Sequence, residues 1–241
     1  MARFRHLQRS TGIGFQADRR SAFTHVELIV VITIVCVLSA LALPKCNSIY
    51  LKGRQIRDLS NTRHIHQALF NYASDHDGCF PAKTVDGLEL TNANEAYRNL
   101  VPRYMSIERI FYVASSRWCN PNQPDENISP GNCLSAGENN YAYVTGLTTK
   151  SDGNFPLVAD GFKEGQPGVY TSDEKAKGGL WKGKVAMVIR MDGSAAIEQV
   201  CSTDFKVYGL TGLDTGARAD IFAPAQGWLE AKNKTLNPTS K

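Results

Sequence analysis

Residues 22–44 read AFTHVELIVVITIVCVLSALALP, and this stretch decides how the chain is organised. Its central run, residues 28–43, holds 16 residues and no charge, and Pro44 follows directly. A run of this length is slightly short of the about 20 residues that a membrane-spanning helix needs. Adding residues 23–26 lengthens the run, but it then includes the carboxylate of Glu27. The stretch therefore predicts an apolar helix with one acid near its start.

Basic residues are concentrated before this run. Residues 1–22 contain five arginines and one acid, whereas residues 23–241 contain 22 bases and 22 acids. The formal net charge of +4 therefore belongs to the leader, and the rest of the chain has no basic excess for holding phosphates. We expect no nucleic-acid partner. By the positive-inside rule, the N-terminus stays in the cytoplasm and the rest of the chain is exported.

Three kinds of processing fit the apolar run. The segment Ala40-Leu41-Ala42 matches the A-x-A site of a secretory signal peptide. Cleavage after Ala42 would release a soluble domain that binds a ligand or hydrolyses a substrate. An uncleaved chain would stay anchored, with its extracellular ligand unknown. The third kind of processing acts further upstream, in residues 21–27.

Glu27 is the most informative residue for choosing among them. An ionised group at the centre of a bilayer costs about 2.5–3.5 kcal/mol, so such residues usually have a partner. A carboxylate at the membrane interface would cost little. Both interpretations remain open from the residues alone.

Four positions together resemble the N-terminus of type IV pilins and pseudopilins. That family has a basic leader, a small residue, Phe, Glu at the fifth mature position, and an apolar helix often with Pro near the twenty-second. Ala22, Phe23, Glu27 and Pro44 stand in that register. The resemblance implies cleavage between Ala22 and Phe23 by a prepilin peptidase, and N-methylation of Phe23. Ala22 departs from the usual Gly of the family.

The resemblance also implies a structural role. The Glu27 carboxylate would meet the new amine of a neighbouring subunit, and the pair would remove the cost of burying either charge alone. We therefore predict a pilin-like structural subunit, not an enzyme, that polymerises through its N-terminal helix into a type II secretion pseudopilus or a type IV pilus-like filament. Its expected partners are copies of itself, other pilin-like subunits, the prepilin peptidase, an inner-membrane assembly platform and, before assembly, membrane lipid. Its expected location is the bacterial inner membrane, single-pass with a periplasmic head, and then the periplasmic pseudopilus or a cell-surface filament.

Downstream of the run, apolar residues at helical spacing predict that the helix continues to about Ala73. Gly78 suits a left-handed turn and Pro81 cannot continue a helix, so the helix should end between Ala73 and Pro81. The apolar stripe consists of Ile49, Ile56, Leu59, Ile65, Leu69 and Tyr72. The predicted organisation is a basic leader (1–22), a transmembrane or filament-core helix (23–44), an amphipathic half of the same helix (45–76), a globular head (77–232) and a flexible tail (233–241).

Short apolar runs between turn residues predict strands in the head. The runs are 141–145, 155–159 and 184–190, and Asp192-Gly193 should join the last to 194–200 as a hairpin. The predicted fold is α+β, with a long N-terminal helix, transmembrane in one half and amphipathic in the other, packed on a small antiparallel β-sheet head. The hairpin, and Cys119 followed by Asn139-Asn140-Tyr141, loosely resemble the heads of pseudopilin-like proteins abundant in planctomycetes and verrucomicrobia.

Four cysteines lie in the predicted head, where an oxidising compartment permits disulfides. Cys119 and Cys133 flank a loop rich in Asn and Pro. Closing a loop of about 15 residues could contribute roughly 3 kcal/mol to stability. The candidate pairs are Cys119–Cys133 and Cys79–Cys201.

No catalytic residue, metal site or resident cofactor is predicted. Residues 178–185 nearly match a phosphate-binding loop, but Val185 lacks the hydroxyl that such a loop needs for Mg²⁺. His64 and His66 are two apart on a helix and so point to different faces. Nothing in the sequence places two acids across a cleft. Ca²⁺ remains the one alternative, with ligands among Asp75, Asp77, Asp152, Asp160 and Asp192, because hard cations prefer clustered carboxylates.

Overall fold

The computed structural model describes residues 24–119, 124–129, 132–210, 218–224 and 229–239, side chains at 41–48 and 210 excepted. The chain divides into two compact units, Met1–Ile49 and Tyr50–Lys241. Helix α1 (His25–Asp75) begins in the first and ends in the second. The second unit also holds helix α2 (Ala93–Arg98), a 3₁₀ helix (Glu108–Phe111) and the strands.

The predicted membrane-spanning half of α1 is wrong. Within the described residues, no helix is both long and apolar enough to cross a membrane. The finding contradicts the predicted fold, a transmembrane half followed by an amphipathic half. It also contradicts the predicted location, a single pass through the bacterial inner membrane with a periplasmic head.

The second unit is α+β and is built on an antiparallel sheet of five strands in the order β4-β3-β2-β1-β7. Strands β5 and β6 pair separately, also antiparallel. The strands are β1 (Tyr141–Thr145), β2 (Pro156–Asp160), β3 (Val185–Arg190), β4 (Ala195–Gln199), β5 (Tyr208–Leu210), β6 (Arg218–Asp220) and β7 (Lys234–Leu236). The predictions of strands β1 to β3, and of the hairpin through Asp192-Gly193 to β4, are confirmed.

Burial within the sheet follows strand position. Every residue of β2 is buried, and so are the four central residues of β3, because both strands lie inside the sheet. Strand β4 lies at an edge and has no fully buried residue. This difference explains why β2 and β3 are almost continuously apolar, whereas β4 contains Glu198 and Gln199.

The face that α1 buries in the second unit differs from the predicted stripe. Ile56 is 65% exposed, whereas Asp58 and Thr62 are buried. From Asp58 the buried positions continue through Ile65 and Leu69 at helical spacing. The prediction assigned the face from apolar residues alone. Its first turns instead hold Asp58, which accepts from Tyr141, and Thr62, whose hydroxyl donates to the Leu59 carbonyl of the same helix.

The predicted end of the helix is confirmed. Helix α1 ends at Asp75, and the Gly78 N–H donates to the carbonyl of Ala73 at 2.8 Å. Gly78 has φ +79°, and a Cβ there would come within 2.6 Å of the Thr149 hydroxyl oxygen. Both the left-handed backbone and the close approach therefore require glycine.

Residues 234–239 do not behave as the flexible tail that the sequence suggests. Strand β7 pairs with β1, Tyr143 lying opposite Leu236. Beyond the strand, the Asn237 side chain accepts from the Phe162 N–H at 2.8 Å and donates to the Phe162 carbonyl at 3.0 Å. The segment is polar because its side chains replace backbone partners, a role that composition does not distinguish from disorder.

Replacing Asn237 with Ala should therefore destabilise the head. Asn237→Ala leaves the N–H and carbonyl of Phe162 without these partners, so we expect a loss of about 1–3 kcal/mol in the free energy of unfolding. Urea denaturation measures this loss. The matched control is Asn71→Ala, whose side chain is exposed on α1 and should change stability by no more than about 0.5 kcal/mol. Equal effects of the two substitutions would contradict the assignment.

Candidate functional site

Helix α1 begins with a capping box formed by Thr24 and Glu27. The Glu27 N–H donates to the Thr24 hydroxyl oxygen at 3.2 Å, and the Glu27 carboxylate accepts from the Thr24 N–H at 2.9 Å and its hydroxyl at 2.8 Å. These bonds lower the pKa of Glu27, the backbone N–H contributing most. Glu27 is therefore ionised at neutral pH while fixing the first turn of the helix. The Thr-x-x-Glu pattern of this capping box can be recognised in the sequence, although it was not among the predicted features.

After Glu27, the helix presents an apolar surface to solvent. Nine large apolar side chains between Leu28 and Leu38 are each 47–60% exposed. The two hydroxyls of residues 28–40 are bonded within the helix, Thr33 to the Ile29 carbonyl and Ser39 to the Val35 carbonyl, both at 2.7 Å. This surface therefore offers apolar contact without unpaired side-chain hydroxyls. The residues are Leu28, Ile29, Val30, Val31, Ile32, Ile34, Val35, Val37 and Leu38.

The other predicted processing and assembly residues cannot be placed in the same detail. Ala22 and Phe23 lie outside the described residues. Pro44 falls within α1, but its side chain is outside the described part of the chain. The predicted roles of all three residues therefore stay predictions.

A buried polar cluster joins α1 to the sheet in the second unit. Asp58 on α1 accepts from the Tyr141 hydroxyl of β1. Asp160 on β2 accepts from the Trp181 indole N–H at 2.9 Å and the Met187 N–H at 2.8 Å. The two aspartates are each 1% exposed, and each carboxyl shifts the pKa of the other. The cluster therefore connects the helix with β1, β2 and β3.

The two carboxyls can hydrogen-bond only if one of them holds a proton, because ionised carboxylates are acceptors only. Burial raises the pKa of Asp58 to about 6, against the opposing effect of its hydrogen bonds. Burial also raises the pKa of Asp160, and the charge of Asp58 raises it further. Both shifts favour the protonated form, so the pair keeps a proton to higher pH than isolated aspartates do. Among the described residues, no donor reaches Asp58 Oδ2 or Asp160 Oδ1.

This pair was not predicted from the sequence. Asp160 was left open there as a Ca²⁺ ligand, and Asp58 was given no role. The two residues are far apart in the chain, and neither lies in a motif that predicts the contact. One usable signal is the position of Asp160 at the end of a strand that is otherwise apolar.

The five described cysteines are free thiols, so neither candidate disulfide is formed in the structure. Cys119 and Cys133 are buried, whereas Cys79 is exposed and Cys201 is partly buried. Burial raises the pKa of Cys119 to about 12, and its thiol lies 3.2 Å from the Asn140 side-chain oxygen. Cys119 therefore behaves as a packed, protonated thiol.

The aspartates left open for Ca²⁺ serve separate local roles. Asp75 pairs with Arg103 at 2.8 Å, and Asp160 belongs to the buried pair. Asp152 and Asp192 accept from backbone N–H groups two residues further on, those of Asn154 and Ser194, each at 2.8 Å. Asp77 stands in the turn after α1 with φ +53°. Among the described residues, the acids that do converge are different ones: Glu108, Asp125 and Glu138.

Comparison with known proteins leaves the function to be argued from these sites. No protein-family model, no curated protein and no solved structure matches the chain.

The buried pair predicts how stability depends on pH. A folded-state pKa raised above the unfolded value stabilises the protein below the unfolded pKa, about 3.9 for Asp, and this stability is lost as the pH rises through the folded value near 6. Asp58→Asn carries an N–H that can donate to Asp160 without a titratable proton. We expect this variant to gain stability relative to the native chain as the pH rises from about 4 to about 6, as measured by urea denaturation.

Asp58→Ala tests whether the contacts themselves matter. It removes the acceptor of the buried Tyr141 hydroxyl, so we expect a loss of about 1–3 kcal/mol, the cost of leaving a buried donor without its partner. A native chain and an Asp58→Asn variant with parallel pH profiles would contradict the raised pKa of Asp58.

Proposed function

We propose that the chain is a pilin-like structural subunit that assembles with copies of itself through the N-terminal part of α1. The observation that carries the proposal is the exposed apolar surface between Leu28 and Leu38. Water-soluble chains rarely leave so continuous an apolar surface uncovered, and such surfaces mark sites of association.

The distribution of the apolar side chains favours a bundle over a single groove. Residues 28–32 are five consecutive apolar residues, so they cover every side of the helix. A helix that is apolar all round is stable where neighbours surround it. The centre of a filament, in which each helix is packed by several copies, meets this requirement better than a dimer that covers one face.

The polar groups of the segment suit the same environment. The hydroxyls of Thr33 and Ser39 are satisfied within the helix, so packing against apolar neighbours leaves neither of them without a partner. The remaining charge is Glu27, which is ionised and held by Thr24. Moving it into a bundle is costly unless a cation comes with it.

The pilin resemblance implies a source for that cation. Cleavage between Ala22 and Phe23 would create a new amine four residues from Glu27 along the chain, and the amine of a neighbouring copy could pair with the carboxylate. The capping bonds to Thr24 leave the carboxylate with unused acceptor capacity, since its two oxygens offer about four lone pairs. Glu27 would then set the stagger between subunits while still capping its own helix.

Cys36 provides a direct test, because it is an exposed thiol within the proposed contact surface. In a Cys46→Ser background, a short bis-maleimide added to cells that make the protein should give a covalent dimer joined through Cys36, because the reagent links one thiol from each of two chains. Cys36→Ser should abolish this dimer. Cys79→Ser is the matched control, because it removes an exposed thiol of the head and should leave the dimer intact. Cross-linked dimers that depend on Cys79 and not on Cys36 would refute assembly through the helix.

A substitution at Glu27 separates its two roles in the same assay. Glu27→Gln keeps an oxygen that can accept from Thr24, so the capping box survives, but it removes the charge. If the charge pairs with an amine of a neighbouring copy, the yield of the Cys36-linked dimer should fall at least tenfold, as expected for a lost buried charge pair. An unchanged yield would assign Glu27 to capping alone.

Mass spectrometry of the mature N-terminus tests the processing step. The proposal predicts a chain that begins at N-methylated Phe23. A chain that begins at Leu43 would identify the alternative, a secreted domain released after Ala42, and would remove the proposed contact surface altogether. An intact leader would mean that Ala22 blocks cleavage, which Ala22→Gly should then restore.

A further inference from the structure

Three carboxylates from separate segments of the second unit converge on one point. Glu108 opens the 3₁₀ helix, Asp125 lies in the described loop 124–129, and Glu138 precedes β1. Each residue offers a carboxylate oxygen, and these oxygens all lie within 4.8 Å of one another. Glu108 is completely buried, Glu138 is 4% exposed, and Asp125 is exposed.

Glu108 points to a ligand, because one of its oxygens is buried without a partner. Oε1 accepts from the Leu134 N–H, whereas Oε2 is buried and makes no hydrogen bond. Burial raises the pKa of Glu108, and repulsion from Glu138 and Asp125 raises it further, while the Leu134 N–H opposes both. A buried carboxylate oxygen without a donor is costly, so this arrangement calls for a cation.

The protein provides no such cation in the part that the structure describes. The ion pairs found there involve none of the three acids. Peptide N–H groups instead fix their orientation. Ser135 donates to Glu138 Oε2 at 2.7 Å, and Asn127 donates to Asp125 Oδ1 at 2.9 Å. Each such bond uses one lone pair, and a carboxylate has about four.

We propose that Glu108, Asp125 and Glu138 bind one Ca²⁺ ion. An all-oxygen, all-carboxylate donor set selects hard cations. Ca²⁺–oxygen distances of 2.3–2.6 Å allow ligands on opposite sides of the ion to be about 4.6–5.2 Å apart, which accommodates the observed spacing. Mg²⁺ demands near-ideal octahedral geometry and loses its waters reluctantly, so it is less suited to a site built from three carboxylates. The exposed side, at Asp125, leaves room for the waters that complete a coordination number of six to eight.

The bound ion would reinforce a connection that hydrogen bonds already make, since the Leu134 N–H donates to Glu108 and the Asp125 N–H donates to Glu138 Oε1 at 3.4 Å. It would tie the 3₁₀ helix to the loop around Asp125 and to the turn that leads into β1. This role is independent of assembly through the N-terminal helix. The carboxylates are also distinct from the aspartates that the sequence left open for Ca²⁺.

Calcium binding to the purified full-length chain, stripped with EDTA, tests the proposal. Isothermal titration with CaCl₂ should give one ion per chain, and saturating Ca²⁺ should raise the melting temperature by about 5 °C. MgCl₂ should bind at least about tenfold more weakly. Glu108→Gln should lose the Ca²⁺-dependent shift but should melt no lower than the native chain in EDTA, because the amide oxygen still accepts from Leu134 and the repulsion is smaller.

Two further variants keep the test decisive if Glu108→Gln misfolds. Asp125→Asn changes an exposed residue, so it should leave the melting temperature in EDTA unchanged while weakening Ca²⁺ binding about tenfold. Glu89→Gln, an exposed residue outside the cluster, should bind Ca²⁺ as the native chain does. A native chain that neither binds Ca²⁺ nor gains stability from it would overturn the proposal. So would Ca²⁺ binding that both Glu108→Gln and Asp125→Asn leave intact, because the ion would then lie elsewhere.

Discussion

The buried cluster around Asp58 and Asp160 is the contact on which the head depends. Asp58 on α1 accepts from Tyr141 of β1, and Asp160 on β2 accepts from Trp181 and from Met187 of β3. Burying Asp58 against these partners disfavours rotation of α1 about its axis. Helical spacing then brings Ile65 and Leu69 into the apolar core. A purely apolar helix face could slide or rotate at low cost, so we infer that the pair gives the packing its specificity.

How much of the fold and of the candidate site the sequence could predict depends on how far apart in the chain the interacting residues lie. Local patterns of apolar and turn residues predict the strands, the Asp192-Gly193 hairpin and the helix end at Gly78. No local pattern predicts that Asp58 and Asp160 come together, because this depends on tertiary packing between a helix and a strand distant in the chain. Ile56 illustrates the same limit: it is apolar and correctly spaced, yet it is exposed, because the buried face begins with polar residues.

The two units handle apolar surface in opposite ways. In the second unit, Tyr97, Tyr141 and Tyr143 are fully buried, and their hydroxyls all find acceptors. In the first, the described side chains are exposed although most are apolar. A chain that packs a large apolar core in its second unit has not simply failed to pack the first. The exposed helix is better explained as a surface reserved for contacts between chains, and the capping box at Thr24 gives it a defined start without them.

The position of β7 in the sheet has a consequence for synthesis on the ribosome. Strand β7 is translated about ninety residues after β1, the strand it pairs with, and Pro238 and Thr239 then bond to Lys177 and Asn94. Until that segment leaves the exit tunnel, one edge of β1 presents unpaired backbone groups. The head therefore stays incomplete until translation is nearly finished. During that time this edge of β1 is open to a chaperone, or to mispairing with a second nascent chain on the same messenger RNA.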